Sequence, residues 1–144
     1  MRGASLTRRV RFSARHRYWR PEWDAARNGS TFGDCAAPEP HGHDYICDVT
    51  VSGPLHPETG MVLDLGILDA LLLDQVVTPL HGSVVNEAFA EFAPGGLIPT
   101  CEELARVIAT RISVALRARA VPATVASVRV AEDDTLSATW TNAV

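Results

Sequence analysis

Three histidines stand where one metal ion could gather them. His41-Gly42-His43 is the first sign. In extended backbone, residues i and i+2 point to the same side. The two imidazoles therefore converge, and Gly42 adds no side chain on the opposite face. His16 closes an alternating stretch on its apolar side, where an unpaired imidazole is costly to bury. Three imidazoles plus one open position is a catalytic zinc arrangement. The spacing also admits a plainer reading: a surface histidine pair and a satisfied core histidine.

Cys35 lies six residues before His41. Beside a cationic metal a thiol loses its proton more easily and becomes a base or a nucleophile. It could instead be a fourth metal ligand or an inert loop cysteine. Cys47 shares its strand face with apolar residues and reads as core. Cys101 falls in the first turn of a helix, where the dipole would lower its pKa, and is assigned a structural role or a ligand contact. Glu132 continues the face of Val128 and Val130, so a carboxylate points where apolar groups point. Such a group can accept two N–H donors from a guanidine-like ring edge. The alternative is an ordinary acidic turn, Glu132-Asp133-Asp134.

The elements that position these residues follow from periodicity. Arg8 to His16 alternates, with Val10, Phe12, Ala14 and His16 on one side. Residues 21–40 read as a long active-site loop. His43 to Ser52 is a second strand. Asp64 to Val77 has helical spacing, closed by Pro79, and residues 82–96 are irregular. A second helix opens with the capping box Thr100-Cys101-Glu102-Glu103. Val121 to Glu132 and Leu136 to Thr141 are closing strands. The expectation is one α+β domain over 1–144: a four-stranded antiparallel sheet with two helices on one face. Open sheet edges favour pairing with other subunits.

Composition narrows the chemistry. All 13 basic residues are arginine, so no lysine Schiff base or P-loop lysine is available. Eight of those arginines precede position 28, and 12 acids but no arginine lie between Asn28 and Glu103. The net charge of −4 argues against general nucleic-acid binding, and the basic arm could hold a small anion or a subunit contact. No apolar run reaches the roughly 18 residues of a membrane span. A cytoplasmic protein with no membrane or nucleic-acid partner is expected. Three cysteines are too few for a disulfide framework.

The chain resembles the 6-pyruvoyl-tetrahydropterin synthase family, which includes the 6-carboxy-tetrahydropterin synthases. The stretches that carry the resemblance are Phe12-Ser13-Ala14-Arg15-His16-Arg17, Phe32-Gly33-Asp34-Cys35, His41-Gly42-His43-Asp44-Tyr45, Thr59-Gly60-Met61-Val62, Pro99-Thr100-Cys101-Glu102 and Glu132. The resemblance implies the tunnelling fold (T-fold), assembled as a homohexamer of two stacked trimers with active sites between subunits. It implies that His16, His41 and His43 bind Zn2+ and that Cys35 is the catalytic cysteine. It also implies that Glu132 anchors the amino-pyrimidine edge of a pterin, with Thr100 and Glu102 helping to line that pocket. The spacing Cys-x5-His-x-His is similar to the pyruvoyl-type enzymes. One departure stands out. The family carries an Asp-His pair in a Leu-Asp-His-x-x-Leu-Asn stretch, and this chain has Leu80-His81-Gly82-Ser83-Val84-Val85-Asn86. His81 then either takes over as acid/base, a role the imidazole side chain suits, or is a solvated loop residue.

The activity so implied is a zinc-dependent carbon–oxygen lyase that converts 7,8-dihydroneopterin triphosphate with loss of triphosphate. A redirected member is the second expectation, for example one joining an amine and an aldehyde in a Pictet–Spengler-type ring closure through Glu132, Glu102 and His81. A 6-carboxy-tetrahydropterin synthase and a non-catalytic paralogue holding a pterin or purine are the others.

Overall fold

The alternating pattern continues further toward the N-terminus than Arg8. In the computed structural model, which describes residues 3–142, the first strand, β1, is Gly3–His16. It pairs antiparallel with β2 (His41–Pro54) along its whole length, from Gly3 opposite Pro54 to His16 opposite His41. β2 pairs with β4 (Thr124–Ala131), and β4 with β5 (Ser137–Thr141). These four antiparallel strands match the sequence reading. A fifth, β3 (Ser83–Val84), adds to the other edge parallel to β1, giving the order β3-β1-β2-β4-β5. The sheet is thus five-stranded rather than four-stranded. Two residues are too few to show a period, so nothing in the pattern announces β3.

One face of the sheet is covered by helix. α5 (Cys101–Ala118) presents Leu104, Ile108, Ile112 and Leu116, all essentially buried, to a core that also holds Tyr45, Cys47, Val49 and Val128 of the sheet. Each such side chain contributes roughly 1.5–3 kcal/mol on leaving water. α2 (Leu65–Leu72) adds Leu68 and Leu72, and its cap Asp64 accepts from Gly66 N–H at 2.7 Å. The opposite face is polar: Arg9 pairs with Asp48 at 2.7 Å, and Ser13 Oγ donates to Asp44 at 2.5 Å.

Pro79 does not end the helical path at Val77. The path continues through a π-turn, Leu73–Val77, into α3 (Thr78–Leu80). Proline has no N–H for the carbonyl four residues back. That carbonyl belongs to Gln75, and Arg111 Nε donates to it instead at 3.0 Å. Residues 82–96 also hold more order than their composition suggests, with α4 (Val85–Ala88) following β3.

The long loop over 21–40 contains a helix, α1 (Ala25–Phe32), and a 3-10 turn, Gly33–Ala36. Asn28, Gly29, Ser30 and Thr31 are poor helix formers, which hides α1 from propensity. Polar contacts hold it. Asp24 caps it by accepting from Arg27 N–H at 2.8 Å. The fully buried Asn28 amide accepts from Arg20 N–H at 2.7 Å and donates to Arg20 O at 3.0 Å. Gly33 then reverses the chain at φ +59°, a left-handed conformation that glycine adopts without strain.

Candidate metal centre and its surroundings

Strand pairing makes the histidine cluster. The register sets His16, at the end of β1, opposite His41, at the start of β2, and sets Ala14 opposite His43. Period-two alternation turns His41 and His43 to the side that His16 already occupies. Ring centroids are 4.6 Å apart for His16 and His41, 4.9 Å for His16 and His43, and 5.0 Å for His41 and His43. One ligand nitrogen from each ring lies within 4.8 Å of the other two. Gly42 sits opposite Arg15 on the reverse face. A Cβ there would stand 3.2 Å from Arg15 Cγ, so the glycine lets Arg15 lie across the strand.

The residues fit a divalent ion on three observations. First, His16 Nε2 and His41 Nε2 face each other at 3.1 Å. That is close to the ~3.3 Å between two nitrogens of a tetrahedral zinc with bonds of about 2.0–2.1 Å. Second, the buried His43 Nε2 has no hydrogen-bond partner among the described residues, although Glu132 Oε2 stands 3.0 Å away. That contact is a close charge approach without hydrogen-bond alignment, and it leaves the nitrogen's own direction free. Third, His16 Nδ1 is bonded to Tyr45 Oη at 2.7 Å. When Nδ1 donates to the phenol oxygen, Nε2 keeps its lone pair toward the other rings, as a metal ligand must. Burial, then His41 and His43, push the His16 imidazole down to about 3, so the ring is neutral at neutral pH.

Cys35 arrives on the 3-10 turn. Its carbonyl accepts from Tyr18 N–H at 2.8 Å, and Arg17 Nε donates to the carbonyls of Ala36 at 3.2 Å and Ala37 at 3.0 Å. The residues after β1 therefore pin the cysteine turn over the histidines. Cys35 Sγ is 3.8 Å from His41 Nε2. Burial and then Glu132 and Asp34 push the thiol above its ordinary pKa. A cation at the histidines acts in the opposite direction.

Glu132 follows β4 directly. Its backbone N–H donates to Leu136 O at 3.1 Å, and its Oε2 lies 3.9 Å from His16 Nε2. The alternation along β4 thus delivers the carboxylate to the cluster. Thr100 is committed as the α5 cap, its Oγ1 accepting from Glu103 N–H at 3.1 Å. Glu102 is exposed in the same first turn. Cys101 departs from the dipole expectation. Burial first, then Glu132 and Glu102, push its thiol up to about 12. Desolvation outweighs the helix terminus, and Cys101 is a core residue.

His81 stands apart from this group. It is exposed, its Nδ1 accepts from Ser13 N–H at 3.1 Å, and it lines a shallow cavity with Arg11, Ser13, Asp44 and Ile46. Two tyrosines to which the sequence reading gave no role join the site. Period two places Tyr45 in the core, while its hydroxyl supports His16. The same period carries Tyr18 to the side of His16, its ring centroid 4.7 Å from the histidine ring. Counting two residues on from each histidine is the signal that finds both.

Comparison with known proteins identifies the family. The family model described as 6-pyruvoyl tetrahydropterin synthase matches residues 5–143. The human 6-pyruvoyl tetrahydrobiopterin synthase is 34% identical over 102 residues, covering 71% of this chain and 69% of the human one. The Drosophila melanogaster enzyme of the same name is 35% identical over 114 residues, covering 79% of this chain and 67% of its own. The structure of Caenorhabditis elegans 6-pyruvoyl tetrahydropterin synthase superposes with a TM-score of 0.87 at 24% identity, over 99% of this chain and 98% of that one. No helix of the described residues is long and apolar enough to cross a membrane. With a matching model over nearly its full length and relatives a third identical, the chain belongs to the 6-pyruvoyl tetrahydropterin synthase family.

Proposed function

We propose that the protein is a zinc-dependent lyase that converts 7,8-dihydroneopterin triphosphate to a 6-pyruvoyl product with release of triphosphate. The observation that supports this most is the meeting of three imidazoles with a thiol, Cys35 Sγ lying 3.8 Å from His41 Nε2. His16, His41 and His43 would hold the zinc. When bound, the ion supplies positive charge that polarises the side-chain hydroxyls of the substrate and favours the thiolate of its neighbour.

The chain's own residues do the rest. Glu132 accepts two N–H donors from the amino-pyrimidine edge and fixes the ring. Thr100 and Glu102, at the start of α5, would help to line the same pocket. Cys35 acts as the base, taking a proton from the side-chain carbon next to the one that bears triphosphate. The electron pair of that C–H bond forms the new carbon–carbon double bond, and the C–O bond to triphosphate breaks. The enol so formed gains a proton at the terminal carbon and becomes a ketone. The carbon bonded to the ring then loses its C–H proton, and its electron pair passes into the ring C=N bond. Protons arrive at that nitrogen and ring carbon, and the remaining carbinol becomes the second ketone of the pyruvoyl group. N-terminal arginines, eight of which precede position 28, would attract the triphosphate from a neighbouring copy, and assembly with further copies would complete the pocket.

Incubation of the zinc-loaded protein with 7,8-dihydroneopterin triphosphate tests the reading. Inorganic triphosphate is expected to appear, to stop on chelation and to return with zinc. A folded, zinc-loaded protein that releases none contradicts it. The Leu80-His81-Gly82 stretch, which lacks the family's Asp-His pair, supports a second reading, in which the same pocket serves a different ring closure. That reading predicts pterin binding without triphosphate release.

A further inference from the structure

The site has a hydroxyl that no role so far uses. Tyr18 leaves β1 two residues after His16, and its ring is fixed on two sides. It packs against His16 with centroids 4.7 Å apart and edge-on against Phe32 at 5.8 Å. Its backbone N–H donates to the Cys35 carbonyl at 2.8 Å, which ties its main chain to the cysteine turn. The hydroxyl has no hydrogen bond among the described residues, unlike that of Tyr45, which is bound to His16. Beside His16, whose ring packs on it, the groups that act electrostatically on the Tyr18 phenol include Glu132, Cys35, Cys101 and Glu102. Glu132 and Cys35 are the proposed ring anchor and the proposed base.

A rigid, half-buried phenol with a free hydroxyl, set among those two residues, is a donor waiting for an acceptor on a ligand. We propose that Tyr18 is a substrate contact whose hydroxyl donates a hydrogen bond to the ring nitrogen next to the carbon carrying the side chain. This rests on the pterin reading above. In a ring held at one end by Glu132 and reaching Cys35 through its side chain, that nitrogen lies between the two. A 7,8-dihydropterin offers it as an imine-type acceptor. An anchored ring alone can slide or tilt in its plane, and a second fixed point opposite the carboxylate stops this.

The test is a binding cycle with two ligands that do not react: a pterin without triphosphate, and its 5-deaza analogue, in which carbon replaces that nitrogen. The variant is Tyr18→Phe, which keeps the ring against His16 and Phe32 and removes only the hydroxyl. Zinc content and Tm are expected to equal those of the wild type. The pterin Kd is expected to rise roughly tenfold in the variant, as for the loss of one hydrogen bond with its acceptor left dry. The wild type is expected to lose the same factor on the 5-deaza ligand, and the variant no more. An unchanged pterin Kd in the variant overturns the proposal. So does an equal loss on both ligands, which marks a structural role. A wild type that binds neither ligand overturns it together with the pterin reading, and the triphosphate-release assay identifies that case separately.

Discussion

Cys35→Ala is expected to lower the rate of triphosphate release by about 10²–10⁴-fold, the range for removing a positioned proton-transfer group. KM should change little, because the thiol contributes to moving a proton rather than to holding the ring. Zinc should stay, since three imidazoles gather without the sulfur: their ligand atoms lie within 4.8 Å of one another, and Cys35 Sγ is 3.8 Å from the nearest. Steady-state kinetics and metal content together decide the role. Loss of zinc along with activity would make Cys35 a ligand rather than a base. Cys35→Ser should be nearly as slow, because a serine hydroxyl is a far weaker acid than a thiol and gives no base near neutral pH.

Glu132→Gln is the second large effect. The change keeps shape and removes the charge. A carboxylate can accept two N–H donors, while an amide presents one oxygen and one NH2 group. One substrate donor would then face another donor in a pocket with little water, the Glu132 side chain being only 10% exposed. Leaving a polar group unpaired in such a site costs about 1–3 kcal/mol, more where charge is involved. That predicts a fall in kcat/KM of about 10²-fold or more, carried mainly by KM, with zinc content unchanged. Measured binding of a non-reacting pterin should weaken by a similar factor. An unaffected KM with a collapsed kcat would instead place Glu132 in proton transfer. The 3.0 Å approach of Oε2 to His43 Nε2 makes that a real contrast to measure.

Much of the site was legible because its signal is local. His41 and His43 are two residues apart, and period two alone sends them to one side. The apolar alternation through Phe12 and Ala14 does the same for His16, and that of Val128 and Val130 for Glu132. What alternation cannot supply is register. That His16 sits opposite His41 depends on a pairing across 25 positions, set by the whole length of β1 and β2. The tyrosines were hidden for a different reason. Tyr45 is almost wholly buried and sits on the apolar face of β2, so its pattern is that of a core residue. The elements missed outright are held by contacts that follow no apolar period, two of the three distant in sequence. α1 depends on the Asn28 amide, the turn beyond Leu72 on Arg111, and β3 on only two residues against Ala14 and Arg15. None of these leaves a periodic trace. The helix-dipole argument for Cys101 failed because burial, which a single sequence does not show, outweighed it.

The central claim is that three rings from two strands hold one divalent ion, and metal analysis of purified protein tests it most directly. About one zinc per chain is expected in the wild type, together with its loss in His41→Ala, whose Tm should then match that of the chelated wild type. A folded wild type that takes up no zinc from a zinc-containing buffer, or a His41→Ala variant that keeps a full complement, would contradict the account.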